Sequence, residues 1–127
     1  MSWIFSPSPS GECCECRSSV CAECECAWGG AADGGIQSDL PFSANYNVAA
    51  DFITSHDISI EVCAAASTQF IVKADGSTLY DSGCVSSVGC PTASTTVTVP
   101  AGTDIISIDV TQCSGTLNEW EFLMACA

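Results

Sequence analysis

Cysteine is the first residue type here with chemical content: the 127-residue chain carries 11. Six stand before residue 30, as Cys13-Cys14-Glu-Cys16 and Cys21-Ala-Glu-Cys24-Glu-Cys26. Their C-x-x-C and C-x-C spacings can chelate a soft metal through thiolates, zinc first. Glu12, Glu15, Glu23 and Glu25 are interleaved with them, however. Negative neighbours raise a thiol's pKa, whereas reactive and metal-ready thiols favour positive surroundings. Two clean C-x2-C pairs separated by a finger-length loop are also missing. Disulfide stapling of Cys13, Cys14, Cys16, Cys21, Cys24 and Cys26 is the leading reading, a metal site the second and free thiols the third. No βαβ pattern surrounds the C-x-x-C, which argues against a redox enzyme.

The other five cysteines punctuate the rest of the chain. Cys84 and Cys90 bracket VSSVG, and a disulfide closing that loop is the expected pairing. Cys63 and Cys113 each end a strand-like run. In a sandwich of alternating strands those ends share a pole, so a Cys63–Cys113 bridge is expected too. Cys126 is expected to stay unpaired. If the last hairpin turns near Gly115, Cys126 lies on the order of 23 Å beyond any residue facing Cys113 at strand rise. A disulfide needs Cα atoms within about 7 Å.

Catalytic groupings are sparse. The one histidine, His56, sits in a sequence that reads as a turn, Ser55-His56-Asp57. Adjacency in one turn does not supply the spatial convergence of a Ser-His-Asp triad. With the last hairpin centred near Gly115, Asp109 would face Glu121, with Glu119 one step away. Such a pair of like charges could be relieved by Ca2+, though a solvated acidic face is the plainer expectation. Gly-rich phosphate motifs are absent, and a sandwich face offers no hydrolase cleft. No catalytic residue, cofactor or metal is assigned, and the chain is not expected to be an enzyme.

The elements that position these residues are strands. The most regular stretch is Thr95 to Gln112: Val97 and Val99 alternate with threonines, and Ile106, Ile108 and Val110 alternate with Ser107 and Asp109. Pro100-Ala-Gly-Thr103 lies between, so the stretch reads as a half-buried antiparallel hairpin. Upstream, Tyr46, Val48, Ala50 and Phe52 share one face of a first strand. Ile58, Ile60 and Val62 line a second and Phe70, Val72 and Ala74 a third. Asp75-Gly76-Ser77 is a hairpin turn into a short fourth strand, Thr78 to Ser82. Trp120, Phe122 and Met124 point inward from the last. The expectation is an all-β fold: a seven-stranded antiparallel two-sheet β-sandwich, immunoglobulin-like or jelly-roll, over residues 45–127. Ile53, Ile71, Ile105 and Leu123 fall on the outward side. Either strand twist at the ends or a covering surface accounts for them.

Residues 1–44 read as an irregular Cys-rich arm. Ser6-Pro-Ser-Pro-Ser10 should be extended, and Gly29 to Gly35 reads as a flexible connector. Trp3, Ile4, Phe5 and Trp28 are its expected anchors in assembly.

Charge narrows the partners. Against 15 carboxylates stand only Arg17 and Lys73, giving a net charge of -13. A chain so acidic repels phosphate, so neither nucleic acid nor an anionic membrane is an expected partner. The cysteine content points to an oxidising destination. The start MSWIFSPSPSG, with no basic residue and a short apolar run, does not read as a secretory signal. Synthesis in a host cytosol followed by release in a virion satisfies both, as would non-classical secretion or an intracellular metal role for the cysteines.

The motifs DGSTLYDSG, TVTVPAGTDIISIDV and the closing W-x-F resemble the small β-sandwich modules of bacterial extracellular proteins and tailed-phage virions. Phage decoration (cement) proteins are similar in size, acidity, β-content and a low-complexity arm. That resemblance implies a capsid decoration protein on the outer virion surface, bound to a major capsid or other virion protein. It also implies a homo-oligomer, a trimer among the possibilities. An extracellular carbohydrate- or calcium-binding module, or a surface-filament subunit, is the alternative. It would draw on Tyr46, Tyr80 and Trp120 for an aromatic platform.

Overall fold

The computed structural model describes residues 26–86, 89–114 and 118–127. Eight strands follow in order: β1 (Ala31–Ile36), β2 (Phe42–Asn47), β3 (His56–Ala64), β4 (Thr68–Ala74), β5 (Ser77–Val85), β6 (Ala93–Val99), β7 (Ile105–Gln112) and β8 (Glu119–Cys126). A 3-10 turn, Gln37–Asp39, joins the first two. The strands form two four-stranded sheets, ordered β1-β8-β3-β6 and β2-β7-β4-β5, and every pairing is antiparallel. The all-β, two-sheet expectation holds, with eight strands in place of seven.

Period-2 alternation builds the core between the sheets. Ile58, Ile60, Val62 and Ala64 from β3 and Trp120, Phe122 and Met124 from β8 face inward. Thr68, Phe70, Val72 and Ala74 from β4 and Ile106, Ile108 and Val110 from β7 meet them from the other sheet. Each strand therefore has one apolar face to bury, and two stacked sheets bury both sets at once.

The pairings obey a simple rule: β1 joins β8, β2 joins β7, β3 joins β6 and β4 joins β5. That is one long antiparallel ribbon folded at its middle. Two further pairings, β3·β8 and β4·β7, then wrap the ribbon into two sheets. Consecutive strands consequently sit in opposite sheets except β4 and β5. The Thr95–Gln112 stretch is thus two strands, but not a hairpin. β6 pairs with β3, β7 pairs with β2 and β4, and Pro100-Ala-Gly-Thr103 carries the chain from one sheet to the other. Gly102 N–H donates to the Phe52 carbonyl across this corner, and Thr103 Oγ1 donates to the Pro100 carbonyl. Local alternation reveals that a strand has an inner face, but not which strand lies beside it.

The sheets also begin upstream of residue 45. β1, within the stretch that reads as a linker, occupies the edge beside β8. The first core-facing residues of β2 are Phe42, Ala44 and Tyr46. The strand ends at Asn47, so Val48 and Phe52 enter the core from the following turn, while Ala50 is exposed. Trp28 is part of the core as well, buried and tilted against Phe52 at a centroid distance of 6.2 Å. It is not a free assembly contact. Trp3, Ile4 and Phe5 lie outside the described residues. Of the outward isoleucines and leucine, Ile53, Ile105 and Leu123 are exposed and Ile71 is half-buried.

The one predicted turn that does make a hairpin is Asp75-Gly76, between Ala74 and Ser77. Both residues have positive φ, 47° and 88°, the geometry that matches the twist of flanking strands. Glycine at β1 serves a different purpose. A Cβ at Gly34 would stand 2.8 Å from the Trp120 carbonyl oxygen and 2.9 Å from Glu121 Cβ, whereas one at Gly76 meets nothing within 4 Å. Gly76→Ala should therefore lower stability by about 1 kcal/mol through backbone strain alone, with the sheet unchanged. Gly34→Ala should push β1 off β8. Chemical denaturation and amide exchange at β1 distinguish the two, and normal β1 protection in Gly34→Ala would refute the close-approach argument.

Candidate functional site

A pocket of about 600 Å3 opens on the outer face of the β1–β8–β3 sheet at its Trp120 end. Register explains its walls. Trp120 stands between Gly35 of β1 and Ala64 of β3, and Glu121 stands between Gly34 and Cys63. Because both β1 positions are glycine, β1 itself places no side chain over β8 there, and the Asp39 carboxylate lies close to Gly35. Trp120 turns inward, is 2% exposed, and donates its indole N–H to the Ile36 carbonyl at 2.9 Å. Glu119 and Glu121 point outward. The segment carrying Gly89 and Cys90 closes the rim.

That rim is fastened to β3. Thr92 N–H donates to the Val62 carbonyl, and Thr92 Oγ1 accepts from Ala64 N–H and donates to the Gly89 carbonyl. Cys90 is thereby held over Cys63, and the two form a disulfide with Cα atoms 5.2 Å apart. Cys90 Sγ is 3.5 Å from Glu121 Oε2. The ligand atoms of Cys63, Cys90 and Glu121 all lie within 4.8 Å of one another.

Two further bridges correct the expected pairings. Cys84 bonds Cys113, not Cys90, with Cα atoms 6.0 Å apart. Cys63 bonds Cys90, not Cys113. Cys126, expected to be free, bonds Cys26 across a separation of 100 residues. Cys113 and Cys126 are not partners, as expected, but β8 runs beside β1 towards Cys26, which supplies the partner that Cys126 was expected to lack. Cys13, Cys14, Cys16, Cys21 and Cys24 lie outside the described residues.

The same topology separates the proposed calcium ligands. Asp109 lies on β7, where its carboxylate accepts from the Ser43 hydroxyl and stands 3.9 Å from Lys73 Nζ. Glu119 and Glu121 belong to β8 of the other sheet, so the three do not converge. Asp57 is occupied by the Thr98 hydroxyl at 2.6 Å, and His56 begins β3 opposite Val99. Ser55, His56 and Asp57 form no triad. Sequence reasoning missed the pocket because its floor is made by what Gly34 and Gly35 lack.

The remaining perturbed groups are structural. Asp81 accepts hydrogen bonds from the Gln69 side chain and Gly83 N–H, which hold its carboxyl below the usual value. Burial, then the charge of Asp33, raises the Tyr46 phenol; burial, then Asp81, raises Tyr80. No protein-family model, no curated protein and no solved structure matches this chain. Among the described residues no helix is long and apolar enough to cross a membrane.

Two measurements follow from this geometry. The two tyrosines should titrate above their ordinary value of 10.0 when folded and return to it in denaturant, by absorbance of the phenolate. A raised folded pKa means the unfolded chain loses its protons first, so stability should hold below pH of about 10 and fall as pH rises further. Replacing Cys63 and Cys90 together by Ser should cost about 3–4 kcal/mol, as for a loop of this size. Equal denaturation midpoints for the variant and the oxidised parent would show that the bridge is absent.

Proposed function

We propose that this chain is a structural protein of a virion, a decoration protein seated on the outer capsid. One observation carries the reading. The ribbon order, with β1·β8, β2·β7, β3·β6 and β4·β5 wrapped into two sheets, is what a jelly roll of two interleaved Greek keys produces. Capsid proteins and lectins are prominent users of that architecture.

Surface features favour the capsid side of that choice. Ile36 and Leu123, 43% and 47% exposed, lie on the outer face of the β1–β8–β3–β6 sheet. Ile105 is exposed on the other sheet, and Ile53 on the loop after β2. Exposed apolar side chains of this size are material for contact with a neighbouring protein. An extracellular carbohydrate- or calcium-binding module has less support. Trp120 offers no free ring face, Tyr46 and Tyr80 are half-buried against the core, and the carboxylates proposed for calcium are divided between sheets.

The segment before Cys26 is the natural assembly element on this reading, because the eight strands and three bridges of the described residues all lie after it. Deleting residues 1–25 should give a soluble chain with an unchanged β-sheet spectrum that no longer joins particles or oligomers. Trp3→Ala should weaken assembly in the same way. Trp28→Ala should instead lower stability by about 3–5 kcal/mol, as for a buried tryptophan. Mass spectrometry of purified particles reads incorporation. Full incorporation of the shortened chain would refute the role given to the arm, and absence of the intact chain from particles would refute the virion reading itself.

A further inference from the structure

We infer that Cys63, Cys90 and Glu121 form a redox-gated site for a soft divalent cation, zinc by preference, available only when the Cys63–Cys90 bridge is reduced. The inference is independent of the proposed function. Its basis is the placement of the two sulfurs and the carboxylate within 4.8 Å of one another at the mouth of a pocket. Two elements and a loop converge there. β3 supplies Cys63, its register partner on β8 is Glu121, and Thr92 pins the loop bearing Cys90 to β3.

Electrostatics make the cation the natural occupant of the reduced state. Two thiolates beside a carboxylate would place three negative charges within a few ångströms, and they repel one another. A divalent ion removes that repulsion. Two sulfurs and one carboxylate oxygen are a tetrahedral zinc donor set with one vertex left open. Gly34, the β1 partner of Glu121, adds no side chain of its own at the pocket, so water or a small anion can complete the coordination.

Oxidation state decides which form exists. A dithiol reductant gives two electrons and two protons to the Cys63–Cys90 bond and becomes a disulfide itself. Zinc binding to the freed pair then releases the two thiol protons. An oxidant of the disulfide class reverses the sequence: it takes two electrons from the zinc-bound thiolates and two protons from water to become a dithiol, the Cys63–Cys90 bond re-forms and the ion is released. The same rim would be tied to β3 in both states, by a covalent bond in one and by the metal in the other.

The test is position-specific alkylation of the full chain, so that cysteines before residue 26 do not confuse the result. The protein is reduced anaerobically with a phosphine, which becomes its oxide and competes little for zinc. It is then treated with iodoacetamide with and without Zn2+, and each cysteine is followed by peptide mass spectrometry. Zinc should slow alkylation of Cys63 and Cys90 together. In Glu121→Gln, which keeps both thiols and can still form the bridge, the zinc concentration needed should rise at least as much as the roughly tenfold caused by losing an outer-shell partner. Equal alkylation rates at Cys63 and Cys90 with and without zinc would overturn the proposal, including the case in which reduction unfolds the chain. Protection unchanged in Glu121→Gln would overturn the three-ligand site.

Discussion

The pairing of β8 with β3 is the contact on which the architecture depends. A four-pair ribbon could lie flat, with its apolar face in water. Setting Ile60 beside Met124 and Val62 beside Phe122 places the return half of the ribbon against the outgoing half. Together with β4·β7, this closes the two sheets over one core. β8 then lies between β1 and β3, and all three of its inward side chains, Trp120, Phe122 and Met124, are buried. Phe42 from the opposing sheet packs on this row, 5.2 Å from Trp120 and 6.1 Å from Phe122 between ring centroids.

Much of this was legible in the sequence, and what was not has a common cause. Alternation marked β3, β4, β7 and β8, and Asp75-Gly76 marked the only turn among the described residues whose flanking strands pair with each other. These signals are local. Pairing partners are not, so Pro100-Ala-Gly-Thr103 read as a hairpin although it is a corner between sheets. β1 escaped because AADGGI has no inner apolar row. It holds its place by backbone pairing and by bringing glycines against Trp120 and Glu121, which composition alone presents as flexibility.

The cysteine expectations failed for the same reason. Short spacing favoured Cys84 with Cys90, but neighbours in a wrapped ribbon are remote in sequence. Each observed bridge instead links segments that the β pairings had already brought together. Cys63 and Glu121 are adjacent only because β3 and β8 are paired, so the outer pocket and its sulfur–carboxylate cluster inherit their geometry from the same contact that closes the core.

The Cys26–Cys126 bridge makes residues 26–126 a covalent ring. Cutting any single peptide bond within that ring leaves both pieces in one molecule, so an exposed loop can be nicked without releasing a fragment. A pulling load entering through the segment before Cys26 also has a direct path. It crosses sulfur to the end of β8, the strand held on both sides, and bypasses β1 at the edge. Tension on the arm would therefore be borne by covalent bonds and the centre of a sheet, instead of peeling its outermost strand.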